Sequence, residues 1–146
     1  MRLWPLEILR HLPRQQLLGQ HRECCALRGK GWGRKHSTVD YVFRHPHEWL
    51  YMYHIQVMLE MRIRGYRIEP SWYEFIYRGK ELGFDTGLIG KDHFDNIVSS
   101  GELKQIYPEH DLSYVRECIL NLRRKGVDIM VDKDLQMRIQ LMGMEI

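Results

Sequence analysis

Apolar residues recur every three or four positions along most of this chain, while alternation with period two is scarce. Over residues 15–27, Leu17, Leu18, His21, Cys24 and Cys25 form one stripe; Pro13 is placed to begin a helix there and Gly29 to end it. Arg22 and Glu23 fall off that stripe, so both are expected to reach solvent or a ligand. The longest helix is predicted over 48–64, with Leu50, His54, Val57, Met58 and Met61 facing inward and Gly65 as its stop. Another is predicted over 112–125, where Val115, Cys118, Ile119 and Leu122 make the stripe, Asp111 the N-cap and Gly126 the stop. A short helix is expected over 91–99, a last helix or a docking tail over 132–142, loops over 29–33 and 83–90, and a dense aromatic segment, WYEFIY, over 72–77. The expected fold class is mainly α, a single compact helical domain spanning 1–146.

Composition narrows the class. At 146 residues, with 44% hydrophobic and 28% charged content, the chain can bury a core without staples. Cys24, Cys25 and Cys118 are odd in number and lack C-x-x-C spacing, which suggests neither a disulfide framework nor a zinc site. No apolar run approaches the length of a membrane span, and the start MRLWPLEILRHLP has no leader-like apolar core. A cytoplasmic, nucleoid-associated protein with no membrane partner is expected.

The net charge of +3 hides an asymmetry. Residues 1–44 carry nine Lys/Arg against three acids, a balance of +6, and the remainder carries −3. Clustering of this kind points to a polyanion such as nucleic acid, since a solvated helix face usually mixes signs. The stretch 12–36 concentrates it, with six cations, His21, Trp32, His36 and the glycine-rich GKGWG around one carboxylate, Glu23.

The loop lacks the order of a P-loop and no strand precedes it. As a DNA-backbone loop it would let glycine amides approach phosphates while Arg28, Lys30, Arg34 and Lys35 displace counterions. Trp32 is read as a base-stacking wedge in preference to a core plug. His54 is expected to be a satisfied core histidine. His45-x-His47, with His36 nearby, has ligand residue types, but Pro46 and a missing third spaced ligand speak against a metal. The aromatic segment suits either a core or base stacking. No nucleophile motif is present, which leaves the terminal α-amine of Met1. Its ordinary pKa of about 8 falls beside positive charge, and a neutral amine can attack a sugar carbon to form a Schiff base.

Taken together, these residues resemble the phage-type pyrimidine-dimer DNA glycosylase/AP lyase family. The resemblance is carried by the N-terminal start, Gln20-His21-Arg22-Glu23, Arg34-Lys35-His36 and Arg64-Gly65-Tyr66-Arg67-Ile68. It is closest over residues 1–68; residues 1–80 would form the DNA-binding and catalytic part and 81–146 a divergent helical part. Trp72-Tyr73…Tyr77-Arg78-Gly79-Lys80 resembles the family's aromatic DNA-contacting tail. Tyr107-Pro108-Glu109-His110 resembles the helix entry that precedes that tail, so the two stand here in reversed order.

The resemblance implies a helical monomer that kinks damaged duplex DNA, flips a nucleotide out and reacts through its N-terminal amine without cofactor or metal. Met1 and Glu23 would be catalytic, with Arg22 a phosphate or sugar contact beside them. Arg2, His21, Arg28, Lys30, Trp32, Arg34, Lys35 and His36 would hold DNA. The bulky Arg2 should keep Met1 in place, and Ala26 stands where the family has an arginine, a role Arg28 would take over. Two other functions fit the same residues: a glycosylase for another damaged or modified base, and a non-catalytic DNA-binding protein.

Overall fold

A computed structural model describes residues 2–34, 38–88 and 105–146. The expected helix over 91–99 therefore lies outside the described residues. Four α-helices lie within them, α1 (Arg14–Arg28), α2 (His47–Ile63), α3 (Leu112–Arg124) and α4 (Lys133–Leu141), and no strand does. The mainly α expectation holds, each of these four within two residues of its predicted bounds. Short 3-10 turns at Leu6–His11 and Asp40–Arg44 have no counterpart in the apolar periodicity.

Proline and glycine set the ends. Pro13 and Pro46 precede α1 and α2, where a residue without an N–H leaves no donor orphaned. α2 stops in a Schellman turn: Tyr66 N bonds Met61 O at 2.9 Å, Gly65 N bonds Arg62 O at 2.9 Å, and Gly65 takes φ +80°. α3 repeats the motif at Gly126, and Asp111 caps its start by accepting from Tyr114 N at 2.9 Å.

α2 is the central helix. Eight of its residues are buried, including the consecutive run Met52, Tyr53, His54 and Ile55, so it is enclosed over most of its circumference. α1 and the first 3-10 turn pack on it, and α4 packs on α3. The core joins Leu3, Ile8 and Leu9 of the N-terminal segment to Leu17, Cys24 and Leu27 of α1. Val115, Ile119 and Leu122 of α3 and Leu135 and Ile139 of α4 complete it. Arg64 ties the end of α2 to the first turn by donating to the carbonyls of Leu12 (2.8 Å), Arg10 (3.1 Å) and Leu9 (3.3 Å).

The GKGWG loop closes α1 tightly. Gly31 N bonds Ala26 O at 2.8 Å, and a Cβ on Gly31 would stand 2.7 Å from that same carbonyl oxygen. Gly31→Ala should therefore lower stability by about 1–3 kcal/mol, read as a fall in urea midpoint. Gly19→Ala, in the middle of α1 with only ordinary contact to Arg22 at 3.7 Å, should raise it by roughly 0.5–1 kcal/mol.

Candidate functional site

The described chain begins in a clamp. Gln20, buried on α1, donates through Nε2 to the carbonyl of Arg2 (3.2 Å) and accepts at Oε1 from Trp4 N (2.6 Å). The hydroxyl proton of Tyr53 on α2 lies between the Trp4 carbonyl (2.6 Å) and Gln20 Oε1 (2.8 Å). Tyr114 on α3 donates to the Leu3 carbonyl at 2.8 Å. Three helices thus each spend a polar side chain on backbone groups of residues 2–4, which could not otherwise be buried cheaply. Buried Gln20 stands one turn before half-buried Glu23 on the same helix, three residues apart. Met1, next in line before Arg2, lies outside the described residues, as do Lys35 and His36.

Glu23 is half-buried and has no hydrogen-bond or ion-pair partner among the described residues. Arg22, Arg34 and Lys30 are exposed, Lys30 in a surface pair with Glu81. Such a pair is weak enough to exchange for a phosphate.

Two expected DNA contacts are corrected by their surroundings. Arg2 turns its guanidinium onto α3, 3.7 Å from both Cys118 Sγ and a Glu117 oxygen. Arg28 is fully buried. Its Nη1 reaches His54 Nδ1 and the Trp72 carbonyl, both at 2.9 Å, and its Nη2 the carbonyls of Glu74 (2.9 Å) and Tyr77 (3.2 Å). The rings of Tyr51 and Trp72 lie 5.1 and 5.0 Å from its guanidinium carbon. Burial pulls its pKa down to about 10, so it remains charged at neutral pH. It is an internal strut, and no phosphate can reach it.

The loop glycines are corrected too. The amides of Gly29, Gly31, Trp32 and Arg34 all donate to carbonyls of α1 or of the loop itself, so none of these four is turned outward to a phosphate. Trp32 sits half-buried with its ring edge-on to Phe43 (5.1 Å) and His47 (4.6 Å). The aromatic segment, expected at DNA by resemblance, curls around Arg28: Trp72 stacks edge-on to Tyr77, and Tyr51 donates to the Tyr73 carbonyl at 2.6 Å.

The expectation for His54 is met, and the structure supplies its partners. Arginine only donates, so His54 Nδ1 accepts from Arg28 and its Nε2 carries the proton. That proton goes to His21 Nδ1, 2.8 Å away, which leaves His21 protonated at Nε2, 3.7 Å from Cys25 Sγ. His21, Cys25 and His54 have ligand-type atoms within 4.8 Å of one another. A cation there would need a lone pair at His54 Nε2, the nitrogen that carries the proton while Nδ1 accepts from Arg28. The trio is built as a hydrogen-bond chain. Of the histidines considered for a metal with His47, His45 is bonded to Glu109 at 2.9 Å and His36 lies outside the described residues.

Sequence reasoning missed Gln20, Tyr53 and Tyr114. For Gln20 a signal existed, a polar residue one turn after Leu17 on the inward side of α1; Tyr53 and Tyr114 are invisible without the tertiary fold.

A family profile described as pyrimidine dimer DNA glycosylase matches residues 1–74. Neither the curated proteins nor the solved structures gave a match.

The histidines give the molecule a pH signature. Burial holds His47 and His110 down at about 4 and lowers His54 and His21, the latter two helped by the charge of Arg28. All four are neutral in the fold and protonate near pH 6.5 once unfolded. The stabilisation from His47 and His110 is therefore complete above pH 6.5 and is lost as pH falls toward 4, by up to about 1.4 kcal/mol per site per pH unit, and His54 and His21 add to the loss in the same direction. Urea melts at stepped pH should show this fall, and His110→Asn should flatten it by about one proton.

Proposed function

The chain belongs to the pyrimidine dimer DNA glycosylase family, and from that membership we propose that it is a monomeric DNA repair enzyme joining glycosylase to AP lyase activity on pyrimidine dimers. The observation that carries the reading is the clamp, which holds residues 2–4 against α1 one turn from Glu23.

In the proposed reaction the Met1 amine, as a neutral base, attacks C1′ of the damaged nucleotide. The bond from C1′ to the base nitrogen breaks and the base leaves with the electron pair and takes up a proton; the C1′–O4′ bond then breaks as the nitrogen lone pair forms the iminium, and the proton lost from nitrogen ends on O4′. Loss of a C2′ proton then expels the 3′ phosphate by β-elimination, and water releases the amine. The iminium is itself the electron sink for that step. Glu23, unpaired among the described residues, would stabilise the cationic intermediate and carry the proton. Arg22, exposed on the next position of α1, would hold a phosphate or the sugar, with Lys30, Arg34, Lys35 and His36 gripping the backbone. His21, neutral and donating from Nε2, and Trp32 would complete the DNA face. Flipping the nucleotide costs unstacking energy, which is smallest at a damaged pair.

A DNA face built from few cations on α1 and the loop after it should show a shallow salt slope; removing Arg34 or Lys35 should each reduce it by roughly one unit, while Lys30 should count for less because Glu81 competes. For the chemistry, borohydride with abasic-site DNA should trap a covalent complex whose modified peptide begins at Met1, and an uncleaved N-terminal tag should abolish it. Glu23→Gln should leave melting temperature and DNA affinity nearly unchanged while strand cleavage falls by about a hundredfold or more. Trapping that survives the tag overturns the amine assignment, and normal cleavage by Glu23→Gln overturns that of the carboxylate. A panel of duplexes with a dimer, an abasic site or modified bases identifies the lesion.

A further inference from the structure

We infer that Gln20, Tyr53 and Tyr114 act as positioning residues for the N-terminal nucleophile; the inference rests on the amine reading above. Each of the first three described carbonyls, those of Arg2, Leu3 and Trp4, accepts from a different side chain, and the Trp4 amide is held as well. The donors come from α1, α2 and α3, so the segment is fixed in three directions and not merely laid along one helix. Leu3 is fully buried and Trp4 is 7% exposed, which adds packing to the same restraint. With residues 2–4 fixed, the only backbone freedom left to a preceding amine is the rotations that join it to Arg2. A nucleophile kept on so short a tether reacts at a high effective concentration without ordering a flexible chain end in the transition state.

The arrangement also couples the two proposed reacting groups. Gln20 belongs to the helix that carries Glu23, and its single amide links Arg2, Trp4 and Tyr53. Any displacement of the segment relative to α1 must break that amide's bonds first.

Removing hydroxyl groups tests this without emptying the core. Tyr53→Phe and Tyr114→Phe each free one backbone carbonyl of the segment and keep the ring. Affinity is read on duplex carrying a tetrahydrofuran abasic analogue, which cannot form an imine, and chemistry as the single-turnover rate of borohydride trapping on a true abasic site. The expected result is unchanged affinity with trapping slowed about tenfold or more in each variant, and further in the double variant. Leu135→Ala in α4, chosen to cost similar melting temperature without removing a hydrogen bond to residues 2–4, should trap at the parental rate. If the tyrosine variants trap as fast as the parent, or the Leu135→Ala control slows equally, the positioning role is overturned while the amine reading stands. If the parent itself is not trapped, the amine reading falls and this inference with it.

Discussion

Arg28 carries a full charge at 0% exposure and meets no carboxylate among the described residues, and much of the first 85 residues is arranged to offset that cost. Its two terminal nitrogens are bonded to three carbonyls of the aromatic segment and to His54, its Nε has no partner among the described residues, and two rings flank it. Hydrogen bonds from a charged donor contribute roughly 1.5–3 kcal/mol each, about what a desolvated cation demands, so the segment must keep its curl for the charge to remain tolerable. The constraint runs both ways. Residues 72–77 have little regular structure of their own, and the arginine gives their backbone groups partners that a helix or sheet would otherwise supply.

From that centre the order spreads outward. Arg28 fixes the tautomer of His54, and His54 fixes that of His21 at the half-exposed surface of α1. Behind it, Arg78 donates to the carbonyls of Arg28 (3.0 Å) and Gly29 (3.1 Å), which docks the turn around Tyr77 and Phe84 onto the end of α1. Buried polar contacts thus hold the C-terminal end of α1 and the middle of α2, and the clamp on residues 2–4 holds the same two helices at Gln20 and Tyr53. Between Gln20 and Arg28 on α1 lie exposed Arg22 and half-buried Glu23. A carboxylate left without a described partner on so heavily restrained a helix is held in place by its scaffold, which suits a group that must act on a ligand.

Charge clustering by itself overstated the cationic surface. The six cations of residues 12–36 look equivalent in sequence, yet Arg28 is fully buried and Lys30 is paired with Glu81, while Arg22 and Arg34 stay exposed. An arginine and a glycine each have two uses, at a ligand or inside the fold, and local spacing does not distinguish them. GKGWG is a case in point: glycine spacing that suited a phosphate loop serves a helix end where a Cβ at Gly31 would strike Ala26.

What the sequence determined alone were the features set by local physics. Period-three-to-four apolar stripes placed three of the four helices, and glycines with positive φ at 65 and 126 stopped two of them. Arg22 and Glu23 off the apolar stripe of α1, and the joint order of short motifs over the first 68 residues, pointed to the family. The tertiary structure alone decided which polar groups face each other across the chain: Arg28 with residues 72–77, Tyr53 with Trp4, Tyr114 with Leu3 over a separation of 111 residues. Those pairings depend on helix packing geometry, which no periodicity encodes. A buried polar group declares its role only when its partner, far away in sequence, has been brought within about 3 Å of it.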